Sequence, residues 1–191
     1  AALRWAGAAG AFLIGFAGIG GGALPVVENP WQNFPFGAEM GRMMLASNAL
    51  VLIGVGVLVA AWLAMAPFVG ASPGAARGAR VSNPEMLRTF IAWVVPLIAT
   101  APLFTQDIYS YLANGSIVRQ GLDPYSSGPV ELLGVEHHLA RSVPFIWAHS
   151  PSPYGPVALG TAAVISHITG DSIFWGVLAH RAVSVAGILA A

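Results

Sequence analysis

From residue 43 to residue 69 the chain carries no charged side chain, and its only polar side chains there are Ser47 and Asn48. A helix needs about 20 apolar residues to cross the roughly 30 Å hydrocarbon core of a bilayer. Of the 191 residues, only 8% are charged, against about 25% in an ordinary globular domain. So few charges do not cover a water-exposed surface. The sequence therefore excludes a soluble monomer and predicts an all-α, polytopic transmembrane protein.

Four further apolar stretches accompany this one. The five predicted membrane-spanning segments cover residues 3–24, 43–69, 86–104, 155–170 and 172–191. The chain begins at Ala1 without an initiator Met and ends at Ala191 inside an apolar run. We therefore expect residues 1–191 to form a partial transmembrane domain, a fragment of a longer protein.

Arginine positions predict the orientation, because loops that stay in the cytoplasm carry an excess of Lys and Arg. Loop 70–88 is the densest basic segment and is predicted to be cytoplasmic, since it contains Arg77, Arg80 and Arg88. Alternation of the spans then places segments 25–42 and 105–153 outside a plasma membrane and the turn at Gly170-Asp171 inside. Segment 25–42, rich in Pro and aromatic residues, is too broken for a span. It suits an aromatic interfacial loop, but an ordinary connector between helices is the favoured interpretation.

The charge balance and the absence of Cys exclude other classes of function. Eight basic residues are matched by eight acidic ones, whereas a nucleic-acid-binding domain would carry a basic excess. The chain contains no Cys, which excludes disulfides, thiolate metal sites and Cys nucleophiles.

The outer segment 105–153 holds four of the eight acids and three of the five His residues. Apolar residues at helical intervals predict a helix that begins near Asp107 and stops at Gly121. We expect this helix to lie along the membrane surface. Asp107 falls in its first turn, where the positive end of the helix dipole stabilises a carboxylate. Thr105 or Gln106 is the expected cap.

Two groups of polar residues lie further along the chain. The cluster Glu136-His137-His138 is expected to be an exposed polar surface, because adjacent His side chains point to different faces of a helix and do not share a metal ion. His180 and Arg181 fall inside the last predicted span. An Arg near the bilayer centre costs about 2.5–3.5 kcal/mol on insertion scales. We therefore expect Arg181 to face a protein cavity or a partner.

Three short patterns carry a family resemblance: Asp107 with Tyr109 and Tyr111, then Gly121 with Asp123-Pro124-Tyr125, then residues 152–156. They stand in the runs PLFTQDIYSYLANGSIVRQGLDPYSSGP and HSPSPYGPVALG. In order and spacing, these runs resemble the actinobacterial polyprenyl-phosphomannose-dependent α-1,6-mannosyltransferases, which belong to the GT-C class of membrane glycosyltransferases.

The resemblance implies a GT-C fold with surface helices in an outer loop, a catalytic carboxylate at Asp107, and an active site on the outer face of a multi-pass plasma-membrane protein. It implies a lipid-linked donor, polyprenyl-phosphate-mannose, and an α-1,6-mannan acceptor of lipomannan or lipoarabinomannan. Proteins of this family are much longer than 191 residues, so donor-binding residues are also expected in the part that is absent here.

Mannosyl transfer from a phosphate needs a general base for the acceptor hydroxyl, whereas a phosphate leaves without strong acid assistance. One carboxylate therefore suffices, unlike the two of a glycosidase, and the resemblance implies inversion in one displacement with Asp107 as the base. No metal ligand is assigned, and the residues leave a divalent cation open as a cofactor. The predicted substrate-binding residues, which would hold the phosphate or the sugar, are Tyr109, Tyr111, Arg119, Asp123, Tyr125, His149, Tyr154 and Arg181.

Three alternatives stay open at this point. The chain also fits a GT-C glycosyltransferase that transfers a different sugar, or a structural subunit of a membrane complex. A membrane transporter or lipid flippase is the third alternative, because Arg181 lies inside a span and Pro96 and Pro102 kink another. That reading predicts paired broken helices with a site at the midplane of the membrane.

Overall fold

The computed structural model describes residues 1–69 and 81–190, and this part of the chain folds into helices joined by turns. Contacts divide the chain into two compact units, Ala1–Gly22 with Phe34–Ala101 and Ala23–Asn33 with Pro102–Ala191. The α-helices, in chain order, are α1 (Ala2–Gly21), α2 (Gly37–Arg42), α3 (Met44–Met65), α4 (Asn83–Ile98), α5 (Asp107–Arg119), α6 (Pro129–Leu133), α7 (His138–Ser142), α8 (Phe145–Ala148), α9 (Pro156–Thr169) and α10 (Ile173–Ala190).

In the first unit, α1 packs against α3 and α4. The buried face of α1 consists largely of Gly and Ala, which lets helix backbones approach closely. At the crossing of α1 and α3, a Cβ atom added to Gly10 would lie 2.8 Å from the carbonyl oxygen of Gly54. Arg4 of α1 forms an ion pair with Glu85 of α4. Glu85 also pairs with Arg88 at 2.9 Å.

In the second unit, α5 is the central helix and packs against α9 and α10. The contacts of α5 with α9 advance together along both helices, from Gly115 against the carbonyl of Ala162 to Arg119 against Ser166. The two helices therefore run parallel. Parallel neighbours need a long connection, and residues 120–155, which contain α6, α7 and α8, supply it.

The five apolar segments predicted from the sequence are helices in the structure, and three of them are long and apolar enough to cross a membrane. These three are α1, α3 with the following turn to Phe68, and α10. The predicted span 86–104 overlaps the shorter helix α4, of 16 residues, which begins three residues earlier and ends at Ile98. The predicted span 155–170 contains α9, of 14 residues. Two of the arginines used to orient the chain, Arg77 and Arg80, lie outside the described residues.

Two expectations about the loops are wrong. Helix α5 is not a surface helix with one exposed face, because its residues are buried from Tyr109 to Ile117 except for the half-buried Tyr111. The interfacial interpretation of segment 25–42, which the sequence favoured less than an ordinary connector, does not hold for Trp31. Trp31 is fully buried and packs edge-to-face against Phe174, with ring centroids 6.2 Å apart.

The alternation that placed segment 105–153 and the turn at Gly170-Asp171 on opposite sides of a membrane is also wrong. Arg119 at the end of α5 forms an ion pair with Asp171 at 2.5 Å, and His138 Nε2 lies 2.9 Å from the carbonyl oxygen of Asp171. Groups in direct contact do not lie on opposite faces of a bilayer about 30 Å thick. The turn therefore lies beside the end of α5.

Candidate active site

A cavity of about 370 Å³ opens between α5, α9 and α10, within the second unit. Apolar atoms dominate its lining, and its polar groups come from all three helices and from the residue two positions before α9. Its polar and charged side chains belong to Tyr111, Asn114, Tyr154, Thr161, His180, Arg181 and Ser184. An apolar cavity with a few convergent polar groups is the usual form of a small-molecule site.

Asp107 begins α5, in agreement with the sequence prediction. Its backbone N–H donates to Thr105 Oγ1 at 3.2 Å, so Thr105 contributes to the helix start as expected, and Gln106 occupies the cap position without a side-chain hydrogen bond. The Asp107 side chain is half-buried and acts electrostatically on Tyr154 in the cavity wall. The carboxylate therefore lies near Tyr154 at the positive end of α5, although Asp107 is not itself among the residues that line the cavity.

Tyr154 and Tyr111 form one wall of the cavity, with ring centroids 4.7 Å apart. Burial raises the pKa of the Tyr154 hydroxyl to about 12, and the proximity of Tyr111 and of the Asp107 carboxylate acts in the same direction. Tyr154 is therefore protonated at physiological pH and serves as a hydrogen-bond donor, not as a base.

A further part of the wall comes from α10, where His180 and Arg181 both line the cavity. The His180 ring stacks on Tyr111 at 6.2 Å, and His180 Nδ1 lies 2.9 Å from the carbonyl oxygen of Gly176. The sequence expectation that Arg181 faces a protein cavity is confirmed. Arg181 supplies the positive charge of this otherwise largely apolar cavity.

Tyr109 does not have the role that the sequence predicted, because its side chain is fully buried. Its hydroxyl donates to the carbonyl oxygen of Ala23 at 2.7 Å. Burial raises the pKa of Tyr109 above its usual range, although the charge of Arg181 acts in the opposite direction. Tyr109 therefore joins α5 to the segment 23–33 and offers no surface to a substrate.

Arg119 is likewise not at the site, because it lies at the other end of α5, about 18 Å from Asp107 at 1.5 Å per helical residue. Its guanidinium pairs with Asp171 and donates to Ser166 Oγ at 2.9 Å. Burial alone would raise the pKa of Asp171, but hydrogen bonds from Ser166, Ser116 and Arg119 outweigh it and lower that pKa. These hydrogen bonds and the ion pair connect the end of α5 to the turn after α9.

Three more predicted binding residues have partners within the loop. Asp123 Oδ1 accepts the backbone N–H of Tyr125 at 2.9 Å. The Tyr125 hydroxyl donates to the carbonyl oxygen of Tyr154 at 2.8 Å. His149 is exposed and its Nδ1 lies 2.5 Å from a carboxylate oxygen of Glu131; this hydrogen bond lowers the pKa of Glu131. None of these three side chains lines the cavity.

The His137-His138 pair is not the exposed polar surface that the sequence predicted. Both side chains are half-buried and their rings stack at 4.8 Å. Burial, and then the adjacent His138, lower the pKa of His137, whose Nδ1 accepts the N–H of Leu139 at the start of α7. Within residues 1–69 and 81–190, no three His, Asp or Glu side chains form a group that could hold a metal ion.

The sequence reading missed Asn114, Thr161 and Ser184, which contribute polar groups to the cavity. Asn114 is almost fully buried and its amide donates to the carbonyl oxygen of Ser110 at 2.8 Å. Sequence spacing could have identified two of them. Asn114 follows Tyr111 by three residues and Ser184 follows His180 by four, and residues at these spacings share a helix face.

Comparison with known proteins agrees with the resemblance noted from the motifs. A family model described as "Alpha-(1->6)-mannopyranosyltransferase, N-terminal domain" matches residues 4–191. The chain is 60% identical over 191 residues to alpha-(1->6)-mannopyranosyltransferase B of Corynebacterium glutamicum, a match that covers 99% of this chain and 32% of the relative. It is 33% identical to alpha-(1->6)-mannopyranosyltransferase A of Mycobacterium tuberculosis, over 95% of this chain and 34% of that protein.

Alpha-(1->6)-mannopyranosyltransferase A of Corynebacterium glutamicum is 32% identical over 89% of this chain and 34% of its own length. The chain thus spans about a third of the length of the curated relatives it matches. No solved structure matches the chain.

Proposed function

Since the chain belongs to the alpha-(1->6)-mannopyranosyltransferase family, we propose that it forms the N-terminal part of a membrane enzyme that extends an α-1,6-mannan. In this proposal the donor is polyprenyl-phosphate-mannose and the acceptor is the mannan backbone of lipomannan or lipoarabinomannan. The family match over residues 4–191 is the observation that carries the reaction class. The GT-C architecture and an active site on the outer membrane face belong to the same proposal.

Asp107 is the proposed general base. Its half-buried carboxylate at the start of α5 has the acid-base chemistry needed to accept the proton of an acceptor hydroxyl as that oxygen attacks the anomeric carbon. The bond from the anomeric carbon to the phosphate oxygen breaks in the same step, and the lipid phosphate leaves with the electron pair. Attack from the face opposite the phosphate inverts the anomeric configuration.

The groups that line the cavity near Asp107 are suited to binding a lipid-linked sugar phosphate. Arg181 supplies a cation that attracts a phosphate through charge-assisted hydrogen bonds, and the surrounding apolar atoms suit the start of a lipid chain. Tyr111 and Tyr154 provide an aromatic wall and hydroxyl donors for a sugar ring. Stabilising the charge that develops on the leaving phosphate is the proposed catalytic contribution of Arg181.

The test replaces Asp107 with Asn in the full-length protein, in membranes supplied with labelled polyprenyl-phosphate-mannose and an oligomannoside acceptor. Loss of the base predicts a fall in transfer of about 100-fold or more, at an unchanged level of folded protein. Glu136→Gln is the matched control, because Glu136 is exposed and its nearest cation, Arg141, is 3.9 Å away. Near-normal turnover of the Asp107→Asn protein would reject the catalytic role.

A transporter or flippase is the competing proposal, and its support is the Arg within the apolar helix α10. Among the helices of the described residues, α4 is continuous and contains an internal proline, Pro96, and no second helix has an internal proline. Transport that is insensitive to Asp107→Asn but lost in Arg181→Gln, measured as substrate counterflow in vesicles, would favour the transporter over the mannosyltransferase.

A further inference from the structure

A turn in the connection between α5 and α9 is hydrogen-bonded to the segment that leads into α9. The turn begins at Asp123, whose Oδ1 accepts the N–H of Tyr125 at 2.9 Å. The carbonyl oxygen of Pro124 accepts the N–H of Ser152 at 2.8 Å, and the Tyr125 hydroxyl donates to the carbonyl oxygen of Tyr154 at 2.8 Å. The last two bonds connect residues 28 and 29 positions apart, and we refer to residues 123–125 with 152–154 as the clamp.

The segment 151–156 has few other ways to hold its conformation. Its sequence is Pro-Ser-Pro-Tyr-Gly-Pro, and proline has no backbone N–H, so only three of its six residues can donate a backbone hydrogen bond. Among the described residues, the N–H of Tyr154 donates to Ser152 Oγ, at 3.3 Å, and to no other acceptor. In the part of the chain that the structure describes, the Tyr125 hydroxyl is the single donor to the Tyr154 carbonyl.

The clamp bears directly on the candidate site, because the Tyr154 ring forms part of the cavity wall and packs on Tyr111. Tyr125 is half-exposed, at 52%, and its own ring does not line the cavity. The proton of its hydroxyl is therefore donated to the backbone of a cavity residue.

We propose that Tyr125 is a positioning residue, whose hydrogen bond to the Tyr154 carbonyl holds the Tyr154 ring in the cavity wall beside Tyr111 and Asp107. Asp123 supports this role by closing the turn that carries Tyr125. The consequence for catalysis rests on the proposed function, since it takes the cavity as the substrate site. The structural part, that Tyr125 holds segment 151–156, does not depend on any activity.

The structural part is tested by hydrogen exchange on the full-length protein without substrate. Tyr125→Phe removes one hydroxyl and keeps the ring, so the fold is retained. The exchangeable amides in segment 151–156 are those of Ser152, Tyr154 and Gly155. We expect those that are protected in the wild type to exchange about fivefold faster in Tyr125→Phe, because the variant loses one uncharged hydrogen bond. Ser126→Ala is the control, because Ser126 Oγ bonds only within the turn, to the carbonyl of Asp123 at 2.7 Å. Unchanged exchange in Tyr125→Phe would overturn the proposal.

The catalytic part is tested by combining Tyr125→Phe with Tyr154→Leu and measuring mannosyl transfer. If Tyr125 acts through Tyr154, Tyr125→Phe lowers mannosyl transfer about fivefold relative to the wild type. In the Tyr154→Leu protein, which lacks the Tyr154 ring, adding Tyr125→Phe has no further effect. Equal losses in both backgrounds would mean that Tyr125 acts independently of Tyr154, and the positioning role would be rejected. If the wild-type protein transfers no mannose from any lipid-linked donor, the proposed function fails, and the exchange experiment still decides the clamp.

Discussion

The close contact of α5 with α9 helps to bring Tyr111 and Tyr154 to one cavity, and a single methyl group should disrupt this contact. A Cβ atom added to Gly115 would lie 2.4 Å from the carbonyl oxygen of Ala162 and 2.7 Å from its carbonyl carbon. Both atoms belong to the backbone of α9, so no side-chain rotation relieves the clash. In Gly115→Ala the two helices must separate by about 1 Å to restore ordinary van der Waals contact.

Gly160 provides the matched control, because it lies in α9 and a Cβ added there meets nothing within 4 Å. Replacing a helical Gly with Ala favours the helix by about 1 kcal/mol, and Gly160→Ala should gain that amount. In Gly115→Ala the overpacking cost, about 3 kcal/mol for a contact that cannot relax, exceeds the same gain. The net loss is about 2 kcal/mol, so the two variants should differ by about 3 kcal/mol despite the identical chemical change.

The assay compares thermal unfolding of both variants in detergent with their mannosyl transfer in membranes. We expect Gly115→Ala to unfold below the wild type and to lose up to about 100-fold in transfer, because misplacement of reacting groups by about 1 Å has effects of that size. Gly160→Ala should unfold at or above the wild-type temperature with unchanged transfer. If Gly115→Ala were as stable and as active as Gly160→Ala, the close parallel packing of α5 on α9 would be refuted.

Two further predictions address residues that stabilise the second unit. Tyr109→Phe removes the hydroxyl that donates to the Ala23 carbonyl, so it should lower the free energy of unfolding by about 1–2 kcal/mol. Turnover per folded molecule should be unchanged. A raised KM for the sugar donor would instead show that Tyr109 contacts the substrate. Because the folded-state pKa of Asp171 is lowered, its contribution is complete above the unfolded-state pKa of about 4 and is lost as the pH falls through the folded-state value. Asp171→Asn should therefore be less stable at neutral pH, and its stability should fall less than that of the wild type on acidification; identical acid profiles, measured by thermal unfolding, would contradict this.

Local features of the site followed from the sequence. The start of α5 at Asp107 was predicted because a carboxylate in a first turn interacts well with the helix dipole. The end of the helix was predicted from Gly121, which adopts a positive φ of 75°. Arg181 was expected to face a cavity because a cation is costly against lipid. Each of these predictions depends on a residue and its near neighbours in the chain.

Burial of α5 did not follow from the sequence, because the helix mixes apolar and polar residues on every side. Ser116 and Asn114 are buried since each finds a hydrogen-bond partner, Asp171 in the first case and the Ser110 carbonyl in the second. Hydrophobic periodicity does not reveal such partners, since a buried polar group is tolerated once it is hydrogen-bonded. The helix was therefore assigned to a surface.

The sequence by itself determined that this chain is helical, that it carries helices apolar enough for a membrane, and which family it resembles, because hydropathy and motif order are properties of consecutive residues. Only the tertiary structure decided which tyrosines are open to a ligand. Tyr111 and Tyr154 meet across 43 positions of the chain to form the cavity wall, whereas Tyr109 on the same helix is buried against Ala23. Tyr125 bonds to the backbone of Tyr154 and not to the cavity. Side chains of one type acquire different roles because packing between distant segments, and not residue type, sets which atoms solvent or substrate can reach.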